Sequence, residues 1–458
     1  MPTNIFLAFS VAVVLLINPA SSLAIGRRCV QPAELELPDL QLSQFDKMRL
    51  ASNIKYAVDA YFGHWEGVPD LDMEKEFDSY LAAIANTDSR RKFDLYTLEF
   101  FSKFQNGHTK FTDSWLWSSS FEGTGLQVSF GGGQWIVQNS RRANVPPGSV
   151  ITAVDNCPID EFFSINKSYM SGSSIRSLQG RMFNTPYFFP RKFRLTLNDG
   201  SQVLVDRSVP GGNWRERSLS RKLPPDIYYY KISSFSSPDV EDAAIAFLSA
   251  HSDAEAIVLD VRGNSGGTTP SKLLSSVLTN SYRDWSQSSP VSFGLLRAYG
   301  EMASEVEKDA SRDGELFGFL SGMQQYFSRP SITIQGRIIE PTGAVYQGRL
   351  IVLADSNCAS ACEDFVMPLK QTNRAMIIGE TTFGSSGQPK FMRFNNGMSF
   401  SVGAKRMFFA NGMPFEGVGI APNYTVTPKA EDIRNNFDPA LEKALELVVS
   451  IPRSSMPD

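Results

Sequence analysis

Histidine is almost missing from this chain: three occur in 458 residues, at positions 64, 108 and 251. Any reaction that needs an imidazole has few sources, and a multi-histidine metal site is excluded because no two of them stand at ligand spacing. Cysteine is scarce too, with Cys29, Cys157, Cys358 and Cys362. Four in so long a chain exclude a disulfide-built miniprotein, although one or two bridges stay open in an oxidising compartment. Cys358 and Cys362 read first as small buried packing residues. There is no excess of positive charge. The formal net charge is −4 and the isoelectric point about 5.7, so no global field recruits nucleic acid or an anionic membrane surface. Beyond the first two dozen residues there is no long apolar run. Ile5 to Ile17 supplies about 13 such positions, short of the roughly 20 that span a bilayer. Asn18-Pro19 and the small residues Ala20 to Ala24 follow, as at a signal-peptidase site. Residues 1–24 are therefore expected to be a signal peptide cleaved after Ala24. The mature protein is expected to be secreted or extracytoplasmic, with no stable membrane span.

What is present is ordinary globular composition, 42% hydrophobic, in a length that suits two or three domains. Residues 25–110 have helical periodicity, as in Phe45 to Leu50, Tyr56 to Val58 and Phe77 to Ala85, and predict a helical cap. Asn106-Gly107 then marks a turn and puts His108 on a loop. From 123 to 208 short strands alternate with the turn signals Pro146-Pro147-Gly148 and Asn198-Asp199-Gly200. The order, with G-T-G-L at 123–126 and P-P-G-S-V-I-T-A-V-D at 146–155, resembles a PDZ domain. That resemblance implies peptide binding by strand addition. From 226 to 430 strand and helix alternate as in an α/β sheet: Tyr228 to Ile232, a helix opened by Ser237-Pro238, Ala256 to Val261, a helix over 269–279, Ile351 to Ala354, Met376 to Ile378 and Met398 to Val402. An insertion over 293–336 carries a polar helical middle at 301–312. Residues 431–458 read as a C-terminal helix and tail.

The chemistry centres on I-V-L-A-D-S-N-C-A-S-A-C-E at 351–363. An apolar strand, a turn and a helix that Pro368 interrupts put Ser360 near a helix start, where free N–H groups and the dipole favour developing negative charge. A nucleophilic serine is well served there; an ordinary capping serine is the plainer alternative. A second serine, Ser265 in G-N-S-G-G, fits G-x-S-x-G. The α/β-hydrolase fold that uses this elbow needs a histidine after its serine, and none follows His251. Gly266 and Gly267 are read instead as oxyanion donors. Among the histidines, His64 sits in the cap and His251 at a polar helix end, which leaves His108 as the candidate base. Glu416, between Phe415 and Gly417, is the candidate acid to orient it.

D-V-R-G-N-S-G-G at 260–267, C-A-S-A-C-E at 358–363 and G-E-T-T-F-G at 379–384, in this order, resemble the tail-specific (C-terminal-processing) and tricorn-core serine peptidases. The resemblance implies a ClpP/crotonase-like α/β catalytic core, with Ser360 as nucleophile and an oxyanion hole made by the Ala361 N–H and a glycine of Gly266 or Gly267. The processing peptidases take their base from a lysine after the third motif, and here that place is Ser385. N-G-H-T at 106–109 and F-E-G-V-G-I-A-P at 415–422 are similar to the tricorn-like elements that supply histidine and glutamate. The implied triad is Ser360, His108 and Glu416, acting on a protein or peptide substrate with no cofactor and no metal. A binding protein for an apolar ligand or peptide on the same fold is the alternative. Whether the chain forms a homo-oligomer is left open by the sequence.

Overall fold

A computed structural model describes residues 29–120, 122–214, 219–292, 331–343 and 346–450. The expected signal peptide and the helical stretch expected at 301–312 lie outside these residues.

The described chain opens with three main helices, Gln44–Tyr61, Met73–Ala85 and Arg90–Ser102. Each begins at a short polar side chain that accepts a first-turn N–H: Ser43 from Asp46, Asp72 from Lys75, Ser89 from Lys92. Such caps satisfy donors the helix cannot. An antiparallel sheet follows in the order Leu126–Gly131, Gln134–Ser140, Val150–Val154, Lys192–Leu197, Gln202–Asp206. Its inward residues Trp135, Val137, Leu195 and Val205 share one core with Phe62, Phe93, Phe101 and Phe104 of the helical segment. Helices and sheet therefore pack as one unit, and a Cys29–Cys157 disulfide ties the start of the one to the other.

The second half is a mixed α/β layer. Its sheet runs Tyr424–Thr425, Ala375–Gly379, Arg349–Ala354, Ala256–Asp260, Ile227–Lys231, Ser220–Leu223, parallel except for the last pair. Alternate side chains enter two different cores. Ile257, Leu259, Leu350 and Val352 meet Leu248 of helix Pro238–Ala250, Leu273 of helix Ser271–Val277 and Phe365 of helix Ala361–Gln371. Val258, Ile351 and Leu353 meet Ala440, Leu441 and Ala444 of helix Pro439–Ser450. Cover on both faces explains why the central strands are apolar at every position.

Two elements differ from expectation. Helix Ala361–Gln371 runs through Pro368 rather than stopping there. The proline removes one intrahelical bond, and burial of Met367, Pro368 and Leu369 holds the last turn in place. Met398–Gly403 is not a strand of the main sheet. It lies between Lys110–Asp113 and Pro389–Arg393 in a separate antiparallel sheet, with Lys110 opposite Ser401. Its Met398, Phe400 and Val402 face the front core, so the pairing carries the 105–109 loop onto the C-terminal half. Among the described residues no helix is long and apolar enough to cross a membrane.

Candidate active site

Strand Arg349–Ala354 delivers the chain to a tight turn. Asp355 Oδ1 accepts the N–H groups of Asn357 and Gly263, at 3.1 and 3.0 Å, and so joins this turn to the loop after Asp260. Ser360 then precedes helix Ala361–Gln371 with φ 56° and ψ −124°. A left-handed φ in a residue with a Cβ costs about 1–3 kcal/mol and persists only where the surroundings over-determine it. Here the Ser360 N–H donates to the Ser385 carbonyl at 2.9 Å, and the Ser360 carbonyl accepts from the N–H groups of Glu363 and Asp364 at 2.7 and 3.0 Å. A Cys358–Cys362 disulfide closes across the residue. This corrects the expectation of free packing cysteines: the turn brings the two Cα atoms to 5.4 Å, within bonding reach.

The loop after strand Ala256–Asp260 lies flat against this turn. A Cβ on Gly266 would stand 2.6 Å from the Ala359 carbonyl oxygen and 2.8 Å from Ser360 Cβ, so only glycine fits. Its N–H, however, donates to Asn264 Oδ1 at 2.9 Å. Gly266 is thus a spacer rather than the open donor anticipated from the sequence. The N–H groups of Gly267 and Ala361 have no acceptor among the described residues. Ser265 is exposed at the cleft.

His108 arrives from the other end of the chain. Thr109 Oγ1 accepts the Gly403 N–H at 2.8 Å and Ser401 Oγ donates to the His108 carbonyl at 2.6 Å, extending the pairing of Lys110 with Ser401. Within the loop, Asn106 Oδ1 accepts from the His108 N–H and from Thr109 Oγ1. The imidazole Nδ1 lies 2.7 Å from Ser385 Oγ, and Ser385 Oγ donates to Glu416 Oε1 at 2.7 Å. Glu416 therefore reaches the imidazole through a hydroxyl, where direct contact was expected. Asn106 Nδ2 and Ser173 Oγ also donate to Glu416 Oε1, each at 2.8 Å. Oε2 is buried without a partner among the described residues.

Ser385 links the two halves of the site. Its carbonyl holds Ser360 and its hydroxyl holds the imidazole and the acid. Its N–H donates to Glu363 Oε2 at 3.0 Å. Glu363 is fully buried and also accepts from Thr382 Oγ1 and the Gly384 N–H at 2.5 and 2.7 Å, so it clamps the third motif onto the turn that carries Ser360. Ser385, Asn106, Ser173 and Glu363 were not assigned roles from sequence. The signal for Ser385 was its position, where a lysine was sought.

Burial sets the protonation states. It pushes the His108 imidazole down to about 4, helped by the Lys110 ammonium, which leaves it neutral near pH 7 as a general base must be. Burial pushes Glu416 up to about 7, against the pull of the Ser385 and Ser173 hydroxyls, and Glu363 up to about 8. The other histidines pack: burial holds His64 down to about 3, and His251 stacks on Tyr228 with ring centres 3.8 Å apart. Lys390 sits with its ammonium 5.7 Å from the Tyr61 ring centre. Among the described residues, the one His/Cys/Asp/Glu group tight enough for an ion is Cys29, Cys157 and Glu161, and both sulfurs are in the disulfide.

Ser360, Ser385 and His108 line one cleft of about 800 Å3, together with the edge strand Leu126–Gly131 of the first sheet. Residues 226–426 match the family model of Peptidase family S41. Two curated relatives are the carboxy-terminal processing proteases CtpA and CtpB of Bacillus subtilis (strain 168). They are 22% identical over 311 residues and 23% over 326, covering 67% and 69% of this chain. The chain spans 56% and 57% of their lengths. Two solved structures of mature CPAF, one complexed with lactacystin, superpose at a TM-score of 0.65 with 14% and 13% identity. Each covers 88% of this chain, and the match takes in 97% and 96% of theirs. The likeness extends through the front half as well as the core.

Proposed function

We propose, from the premise that the 226–426 core belongs to Peptidase family S41, that this chain is a secreted serine endopeptidase working through Ser360, His108 and Glu416. The observation that carries this reading is the continuous link from Glu416 through Ser385 to the His108 imidazole, beside a strained serine at a helix start. His108 takes the hydroxyl proton as Ser360 Oγ bonds to the scissile carbonyl carbon. The resulting oxyanion is held by the Ala361 and Gly267 N–H groups. Collapse breaks the peptide C–N bond, and the imidazolium gives its proton to the leaving amine. Water then attacks the acyl-enzyme with His108 again as base, which restores the serine. Glu416 stabilises the imidazolium through Ser385. Leu126–Gly131, an edge strand lining the cleft, suits a substrate that adds in extended form. Two disulfides support residence in an oxidising compartment.

The test is peptide hydrolysis by the purified protein. Ser360→Ala is expected to lower kcat at least about 10³-fold, and His108→Ala about 10²- to 10⁴-fold. Full activity in either folded variant contradicts the proposal.

A further inference from the structure

Four cationic side chains line the cleft: Lys110, Arg181, Lys231 and Arg262. Two are neutralised. Arg262 pairs with Asp260 and Asp438 at 2.8 and 2.7 Å, and Lys231 lies 3.5 Å from Asp260. The other two have no carboxylate partner among the described residues. Arg181 spends Nε on the Ser177 carbonyl at 3.0 Å and Nη2 on the Ser171 carbonyl, both neutral acceptors. Its guanidinium lies 5.4 Å from the Phe383 ring centre. That ring is also the nearest neighbour of Gly107, since a Cβ there would meet Phe383 Cε1 at 2.8 Å and Ser385 Oγ at 3.1 Å. The cation is thus one aromatic ring away from the hydroxyl that bridges His108 and Glu416. Lys110 stands two residues beyond His108 on the strand paired with Ser401. Burial pushes the Arg181 guanidinium down to about 10, and Lys110 feels it as a like charge. Like charges lining one cleft repel each other unless something neutralises them. The carboxylates of the same cleft do not: Asp355 is engaged by Gly263 and Asn357, and Glu380 lies beside Asp355 and bonds to Thr427.

We propose that Arg181 and Lys110 form a subsite for an acidic side chain of the bound peptide near the scissile bond. The inference deepens the peptidase reading and rests on it for the identity of the ligand as a peptide. An arginine presented on an aromatic face with fixed backbone partners is pre-organised for a carboxylate. The adjoining lysine adds a point charge.

Binding is measured on the Ser360→Ala protein by fluorescence anisotropy, with fluorescein-labelled octapeptides made in pairs. One set is C-terminally amidated and differs only by Glu against Gln at each position; the other lacks acidic residues and differs only by free acid against amide. The Glu member of at least one pair in the first set is expected to bind about tenfold more tightly at low salt, with the advantage shrinking as salt rises. Adding Arg181→Gln or Lys110→Gln is expected to abolish the advantage. Lys110→Glu, on an exposed strand position, provides a second variant should Arg181→Gln fail to fold, and turns the preference toward the uncharged member. A preference confined to the second set, free acid over amide, assigns the two cations to the chain terminus and overturns the side-chain subsite. Equal binding of every pair, or a preference that survives the variants, overturns the subsite. Because Ser360→Ala cannot turn over, absence of hydrolysis by the unmodified protein would remove the peptidase reading without deciding this outcome.

Discussion

At the scale of single residues, a hydroxyl joins the site at the place where the resemblance to the processing peptidases implied a lysine amine. Ser385 occupies the position expected for a lysine base, and from sequence it reads only as a loss. In three dimensions it is the connector, with Nδ1 of His108 on one side and Glu416 on the other. Ser385→Ala is expected to lower kcat about tenfold to a hundredfold with KM little changed, as read from steady-state kinetics on a peptide substrate. The protonation of the network fixes a pH profile as well. Glu416 is pushed up to about 7 and His108 down to about 4. Below pH 7 the carboxyl is therefore neutral and cannot stabilise the imidazolium; above it the carboxylate can. Activity, kcat/KM, is expected to rise with pH through about 7 and then level off, and Glu416→Gln should lose that limb along with most of the activity. A rise centred near pH 4 that survives Glu416→Gln would point to the imidazole alone. Only three histidines compete for one role, so the chain alone narrows the candidate base and the residues proposed around it. Their connector was not legible there, since serine carries no mark that separates a relay from a cap.

At the scale of elements, the strand Lys110–Asp113 and its partner Met398–Gly403 bring His108 into the cleft that Ser360 also lines. Sequence periodicity finds the second as a short β-like stretch, passes over the first, and cannot pair them, because nothing local records which strands separated by nearly 300 positions will meet. The second was accordingly assigned to the main sheet. The strand–turn–helix around Ser360 was legible for the opposite reason: an apolar run, turn residues and a helix start are all local signals. Gly403 gives a direct handle on the pairing. A Cβ there would stand 2.6 Å from Asn106 Oδ1 and 2.9 Å from His64 Nε2, so Gly403→Ala must move the loop that bears His108. It is expected to lower kcat about tenfold to a hundredfold, whereas Gly67→Ala, with open space around it, serves as the control and leaves the rate unchanged. The Cys358–Cys362 bridge acts at the same scale. Replacing both cysteines by alanine is expected to reduce kcat while far-ultraviolet circular dichroism stays native, because the turn then holds Ser360 at its left-handed φ with one constraint fewer.

At the scale of the whole molecule, two packed halves share one cleft. The helical segment and first sheet share a core, the α/β layer has its own on each face, and the site takes groups from both. His108, Asn106 and Ser173 come from the first half; Ser360, Ser385 and Glu416 come from the second. The Cys29–Cys157 bridge involves none of these groups and spans a separation of 128 residues. Its removal by Cys29→Ser with Cys157→Ser is expected to cost about 2–5 kcal/mol in stability, seen as a lower denaturation midpoint, with kcat on the surviving folded protein unaffected. Overall class was within reach of the sequence because alternating strands and helices constrain a parallel layer. The merging of helical segment and first sheet into one core was not, since both halves of that packing look like complete units when read in order. The most direct measurement of the central claim is mass-spectrometric mapping of the protein after reaction with a fluorophosphonate. The account predicts a single adduct on Ser360, formed in the native protein and slowed at least a hundredfold in His108→Ala. An adduct on Ser265, or labelling of Ser360 that is indifferent to His108, would contradict it.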